Sequence, residues 1–211
     1  MVWLIILAVL ALAVGPIFYL LPSAQDRFLA GLRQHARQLG FSMQLQRLGK
    51  LDPTAAERVS ASGQQRDPSV ECMRYQWLVR EPIHPPLDIV LRRLPESATV
   101  SVQETMPGWG VAKSGERRTA DHAGLLEIAQ HPELQHGLFE CVRSLPDAVL
   151  ALGIEGRSVS IDWHEQAAVP RGADEKGRLA VGKSLIEDLR ERLQSLASAI
   201  VRTYGERDNA P

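Results

Sequence analysis

Strongly basic runs are missing from this sequence. With 24 Lys and Arg against 25 Asp and Glu, the formal net charge is −1, which leaves nucleic acid no electrostatic footprint to hold. Cysteine is scarce as well. Cys72 and Cys141 are the two in the chain; they are too few and too far apart for a disulfide framework, and they read as small buried hydrophobes in a reducing compartment. Metal-ligand spacing is lacking too. His122, His131, His136, Glu140 and Cys141 fall close together, but the steps from His131 to His136 and from His136 to Cys141 turn successive side chains onto different helix faces, unlike the tight pairs of zinc sites. No metal or other cofactor is expected. No repeat or low-complexity segment appears.

Charge is absent altogether from residues 2–21. At about 1.5 Å per residue this stretch is long enough to cross a hydrocarbon core of roughly 30 Å. Val2 and Leu21 bound it, Trp3 and Tyr19 suit the two interfaces, and Gly15-Pro16 predicts a kink. Nothing polar lies inside, so the span is an anchor and not an ion or substrate path. A cleaved signal peptide would need a positive n-region and a shorter apolar core, and the best cleavage point, after Ala24, puts Pro22 in an unfavourable position. Arg27, Arg33 and Arg37 follow the span and no Lys or Arg precedes it. The positive-inside rule therefore places the rest of the chain in the cytoplasm, with a bacterial inner membrane as the expected home.

Beyond the anchor, Ser23 and Asp26 form a helix-capping pattern and Gly40 a stop. Between them Phe28, Leu29, Leu32, Ala36 and Leu39 share one face. Residues 22–40 thus read as an amphipathic juxtamembrane helix. One reading lays Phe28 and Leu32 on the bilayer with Arg27, Arg33 and Arg37 at anionic headgroups; the other packs the helix on its own domain. Period-two alternation predicts strands at 41–46, 70–79, 87–94, 98–103, 148–154 and 158–164, with helices at 121–130, 133–142 and 179–204. Residues 50–68 read as a loop with one helical turn near 55–59. Strands then helices without regular βαβ alternation predict an α+β domain over 41–204 with a mostly antiparallel sheet, a long C-terminal helix and a frayed tail at 205–211.

Residues 177–184 match G-x-x-x-x-G-K-S through Gly177, Gly182, Lys183 and Ser184. A phosphate-binding loop needs a buried strand before it, and PRGADEK at 170–176 cannot supply one, so nucleotide binding is not expected. Asp162 and His164 bring acid and base types to a strand end, without a nucleophile in a recognisable elbow. Trp109 sits in a glycine-bracketed loop and reads either as a contact anchor or as a ring folded over a sheet edge. Ile186, Leu189, Leu193, Leu196 and Ile200 form a seam that could pair with a partner helix or pack across the sheet.

The segment IFYLLPSAQDRFLAGLRQ, under a tenth of the chain, resembles YajC, the small accessory subunit of the bacterial preprotein translocase. YajC-like proteins are much shorter, with one small β domain, so the rest departs from that pattern. CMRYQWLV, LPDAVLALGIEG and SVSIDWHE look like uncharacterised single-span proteins of gammaproteobacteria, a resemblance that implies no activity. The expected function is a membrane-anchored cytoplasmic interaction domain, bound to lipid through its N-terminal helix and to a membrane-protein partner through Trp109 or the C-terminal seam. The alternatives are a tethered hydrolase using Asp162, His164 and Cys141, and a binder of anionic lipid surfaces.

Overall fold

A computed structural model describes residues 3, 23–81, 83, 87–96, 102–112, 116–169 and 175–205. Of the apolar run only Trp3 is described, helical and exposed; Val2, Gly15, Pro16, Tyr19 and Leu21 lie outside the described residues. Among the described residues no helix is long and apolar enough to cross a membrane.

The fold is α+β, in the order α1 (Ala24–Gln38), β1 (Ser42–Gly49), β2 (Ser69–Leu78), β3 (Asp88–Arg93), β4 (Val102–Met106), β5 (Trp109–Ala112), α2 (Glu116–Ala129), α3 (Pro132–Ser144), β6 (Val149–Glu155), β7 (Ser158–Trp163) and α4 (Glu175–Tyr204). The strands form one antiparallel sheet of seven, ordered β1-β2-β7-β6-β3-β5-β4. Side chains alternate across it. Tyr75 faces Ile161 and Ile161 faces Leu152 in register, giving one apolar face that the helices cover. The opposite face carries Cys72, Arg74, Ser160, Asp162 and Arg92.

Ser23 caps α1 as expected. Its hydroxyl accepts from Asp26 N–H at 3.1 Å, and the Asp26 carboxylate accepts from the Ser23 hydroxyl at 2.7 Å and from Ser23 N–H at 3.0 Å, the hydroxyl first in holding that carboxyl below its ordinary range. Gly40 ends the segment with φ 95°, a conformation glycine adopts without strain. Helix α1 runs parallel to α4, from Gln25 beside Arg178 to His35 beside Glu187. The two approach closely because both carry glycine. A Cβ on Gly182 would lie 2.8 Å from Leu32, and one on Gly31 would lie 3.1 Å from Leu179.

Several elements differ from the alternation pattern. The strand expected at 98–103 is β4, shifted to Val102–Met106. The Trp109 loop is a tight β4–β5 turn in which Gly108 takes φ 74° and donates its N–H to Glu104. Asp121 does not cap a helix but sits inside α2, buried, and its Oδ1 accepts from Val90 N–H at 2.8 Å. It satisfies a strand donor where β5 has stopped pairing with β3. The last helix starts at Glu175, earlier than expected. At the tail, Gly205 bridges Ile83, while 206–211 lie outside the described residues.

Candidate functional site

The first site forms where α1 meets the end of β7. Glu165 follows Trp163 by two residues and is 4 % exposed. Its carboxylate receives Arg33 Nε at 3.0 and 3.1 Å, Arg33 Nη2, and the Tyr75 hydroxyl at 2.7 Å. A buried carboxylate in an apolar setting needs such a set of donors. The hydrogen bond to Glu165 raises the Arg33 guanidinium, and burial, followed by the Glu165 charge, pushes Tyr75 far above an ordinary phenol. Tyr75 is fixed from its other sides by Trp163, edge-on at 5.2 Å, and by Phe41 at 5.7 Å. Beside this cluster is an open depression of about 610 Å³ bordered by Leu45, Glu71, Met73, Glu165 and Val169.

The second site lies on the other face of the sheet. Arg74 stands directly opposite Asp162 in the β2–β7 register. Its Nε and Nη2 each donate at 2.8 Å to the two Asp162 oxygens, and its Nη1 donates at 2.8 Å to Glu155. Gln76 donates to Ser158 at 2.7 Å, extending the network. Gly153 makes room for it, since a Cβ there would lie 2.7 Å from the Ser160 hydroxyl. Cys72 lies in the same layer, and burial, with Asp162 second, pushes its thiol up to about 11. Burial does the same to Cys141, also to about 11. Neither is a thiolate nucleophile near neutral pH.

These contacts place the residues singled out in the sequence. Phe28 and Leu32 are buried in the core, and Arg33 is committed to Glu165, so this face of α1 packs on its own domain; Arg27 and Arg37 are exposed. Trp109 is 3 % exposed beneath the Arg93 guanidinium, 4.8 Å from the ring. It is a core residue at the start of β5, between β3 and β4, and not an exposed contact anchor. Ile186, Leu189, Leu193, Leu196 and Ile200 are all buried in the same core, which removes the seam as a surface for a partner helix. Gly177, Gly182, Lys183 and Ser184 all lie within α4, so their stretch forms no phosphate loop. Gly182 is where Leu32 and Phe28 fit.

Both Asp162 oxygens accept from Arg74, and among the described residues no hydrogen bond joins Asp162 to His164. Cys141 is on α3, beside the α4 groove, away from both. His131 packs edge-on to Tyr204 at 5.1 Å, and His122 shares a hydrogen bond of 3.0 Å with Gln103. Among the described residues no group of His, Cys, Asp and Glu is placed to hold a metal.

Sequence reasoning missed Glu165, Tyr75 and Arg74 as interacting groups. A faint signal existed for Arg74: it falls on the polar face of the strongest strand, as Asp162 does on its own. Nothing local marks Arg33 and Glu165 as a pair. The chain matches no protein-family model, no curated protein and no solved structure.

Proposed function

We propose that this chain is a single-span bacterial inner-membrane protein whose cytoplasmic body is a non-enzymatic accessory domain serving a membrane-embedded partner. The observation that carries the reading is the junction. The apolar run ends at Leu21, Ser23 already caps α1, and α1 buries Phe28, Leu29, Leu32 and Ala36 in the body. In the sequence one residue, Pro22, separates the apolar run from the cap of α1. So short a tether suits a domain that must meet a neighbour in the same bilayer, whereas a diffusing substrate makes no such demand. The saturated carboxylates of Asp162 and Glu165 weigh against the hydrolase reading. The commitment of Arg33 to Glu165 weighs against a headgroup-binding collar. The resemblance of the N-terminal segment to YajC supports the accessory role by analogy alone.

The test is in-cell crosslinking of the native chain beside a version whose residues 1–21 are replaced by an unrelated span. The expected result is one specific partner captured by both versions. Capture of no partner by either would overturn the accessory reading. A C-terminal alkaline phosphatase fusion, expected to be inactive, checks the orientation; an active fusion would place the body on the other side.

A further inference from the structure

Strand β3 ends in two arginines that leave the sheet on opposite faces and meet different fates. Arg93, on the helix side, is fully engaged: it donates to the carbonyls of Val149, Pro146 and Leu145 at 2.8, 2.8 and 3.0 Å and meets Asp147 at 3.2 Å. Arg92, on the polar face, is not. Its Nη2 donates to Gly49 O at 2.9 Å, and its Nε is buried with no partner. Among the described residues no carboxylate pairs with it. Asp162, the acid whose charge reaches it, is already held through both oxygens by Arg74.

The Arg92 side chain is half-buried, its Nε shut off from water and unpaired while its Nη2 meets Gly49 O at the surface, and burial pushes it below an ordinary arginine. Beside it opens a cavity of about 220 Å³ whose apolar walls include Leu51, Val70, Leu94 and Leu150. The other cations on its lining have their own partners. Lys50 is paired with Glu57 at 2.8 Å and feels the charge of Asp52; Arg93 is engaged as above. The cavity thus combines a fork-shaped cation that has no ion pair among the described residues with a mostly apolar lining that also carries Asp52 and His164, in a volume smaller than the roughly 300–1,000 Å³ of sites for larger ligands.

We propose that this cavity binds a small organic monocarboxylate, its carboxylate on Arg92 and its short aliphatic tail against Leu51, Val70, Leu94 and Leu150. Planar, two-point recognition of carboxylate is what a guanidinium provides, and the tail replaces water on walls with few polar groups. The site stands independently of the tethering role.

The experiment uses the full-length chain in detergent, with pentanoate as probe and pentanamide and inorganic phosphate as comparisons. Saturation-transfer NMR should show the pentanoate tail in contact with the protein, and thermal unfolding should shift upward with pentanoate concentration. Pentanamide should bind roughly tenfold to a hundredfold more weakly. Arg92→Met should abolish the shift while the unliganded chain still unfolds cooperatively. Should that variant fail to fold, Leu150→Phe narrows the pocket from its apolar side and should weaken pentanoate more than acetate. Equal binding of pentanamide, binding of phosphate in place of pentanoate, or no binding of pentanoate to the native chain would each overturn the proposal.

Discussion

On the helix side of the sheet, Tyr75, Ile161 and Trp163 stack beneath the helix layer; on the other side the same two strands carry Arg74, Ser160 and Asp162. Both sets are buried or nearly so. The apolar face is held by area removed from water, a diffuse term shared among many neighbours. The polar face is held by a few directional bonds, and a missing partner there leaves a charge without compensation. One face should therefore lose stability in proportion to the volume removed. The other should respond according to whether one partner or both are removed.

The strongest way to test that contrast is to empty the apolar side. Trp163→Ala in the detergent-solubilised full chain should cost about 3–5 kcal/mol in urea unfolding; a loss below about 1 kcal/mol would mean that the helices do not pack on Trp163. Asp162→Asn should cost about 2–4 kcal/mol, because Arg74 would lose one acceptor and keep only Glu155 as a charged partner. The double change Arg74→Met with Asp162→Leu should recover most of that loss, and failure to recover would show that packing, not pairing, governs the polar face as well. The smallest effect belongs to a pair on neither face. Lys50, with Thr54 second, holds the exposed Glu57 carboxyl at about 2 instead of its ordinary 4.5. Because the folded value is depressed, this contribution is present above about pH 4.5 and is lost as pH falls through about 2. Side-chain NMR titration should find that value. Glu57→Gln should remove the difference in amide-exchange protection of residues 50–68 between pH 5 and pH 2 that this carboxyl produces.

Alternation made β2 and β7 legible down to which residues share a face, because a period of two depends on nothing outside the strand. The cap at Ser23 and the stop at Gly40 were legible for the same local reason. What the sequence could not show was which apolar surface covers which. Phe28 and Leu32 have the same spacing whether they face lipid or α4, and only Gly182 reveals the choice, disguised within a nucleotide-binding pattern. The seam from Ile186 to Ile200 reads alike for an inner and an outer helix partner. Arg33 and Glu165 are separated by 132 positions, and no local rule links them. Trp109 was ambiguous because the turn at Pro107-Gly108 looks like a loop until Val111 is counted as the next residue on its face.

The parallel arrangement of α1 and α4 also sets how the molecule would bear load. Tension arriving from the N-terminal side would enter at Ser23, near the end of the two-helix seam where Gln25 meets Arg178. The contact of Phe28 with Arg178, 4.5 Å above its ring, is loaded first, then Leu32 in its notch at Gly182, and the clasp of Arg33 on Glu165 acts as a stop part-way along. Rupture would proceed in small successive steps, with the sheet still intact behind a detached α1. Under such a load α1 is the built-in weak link of the fold.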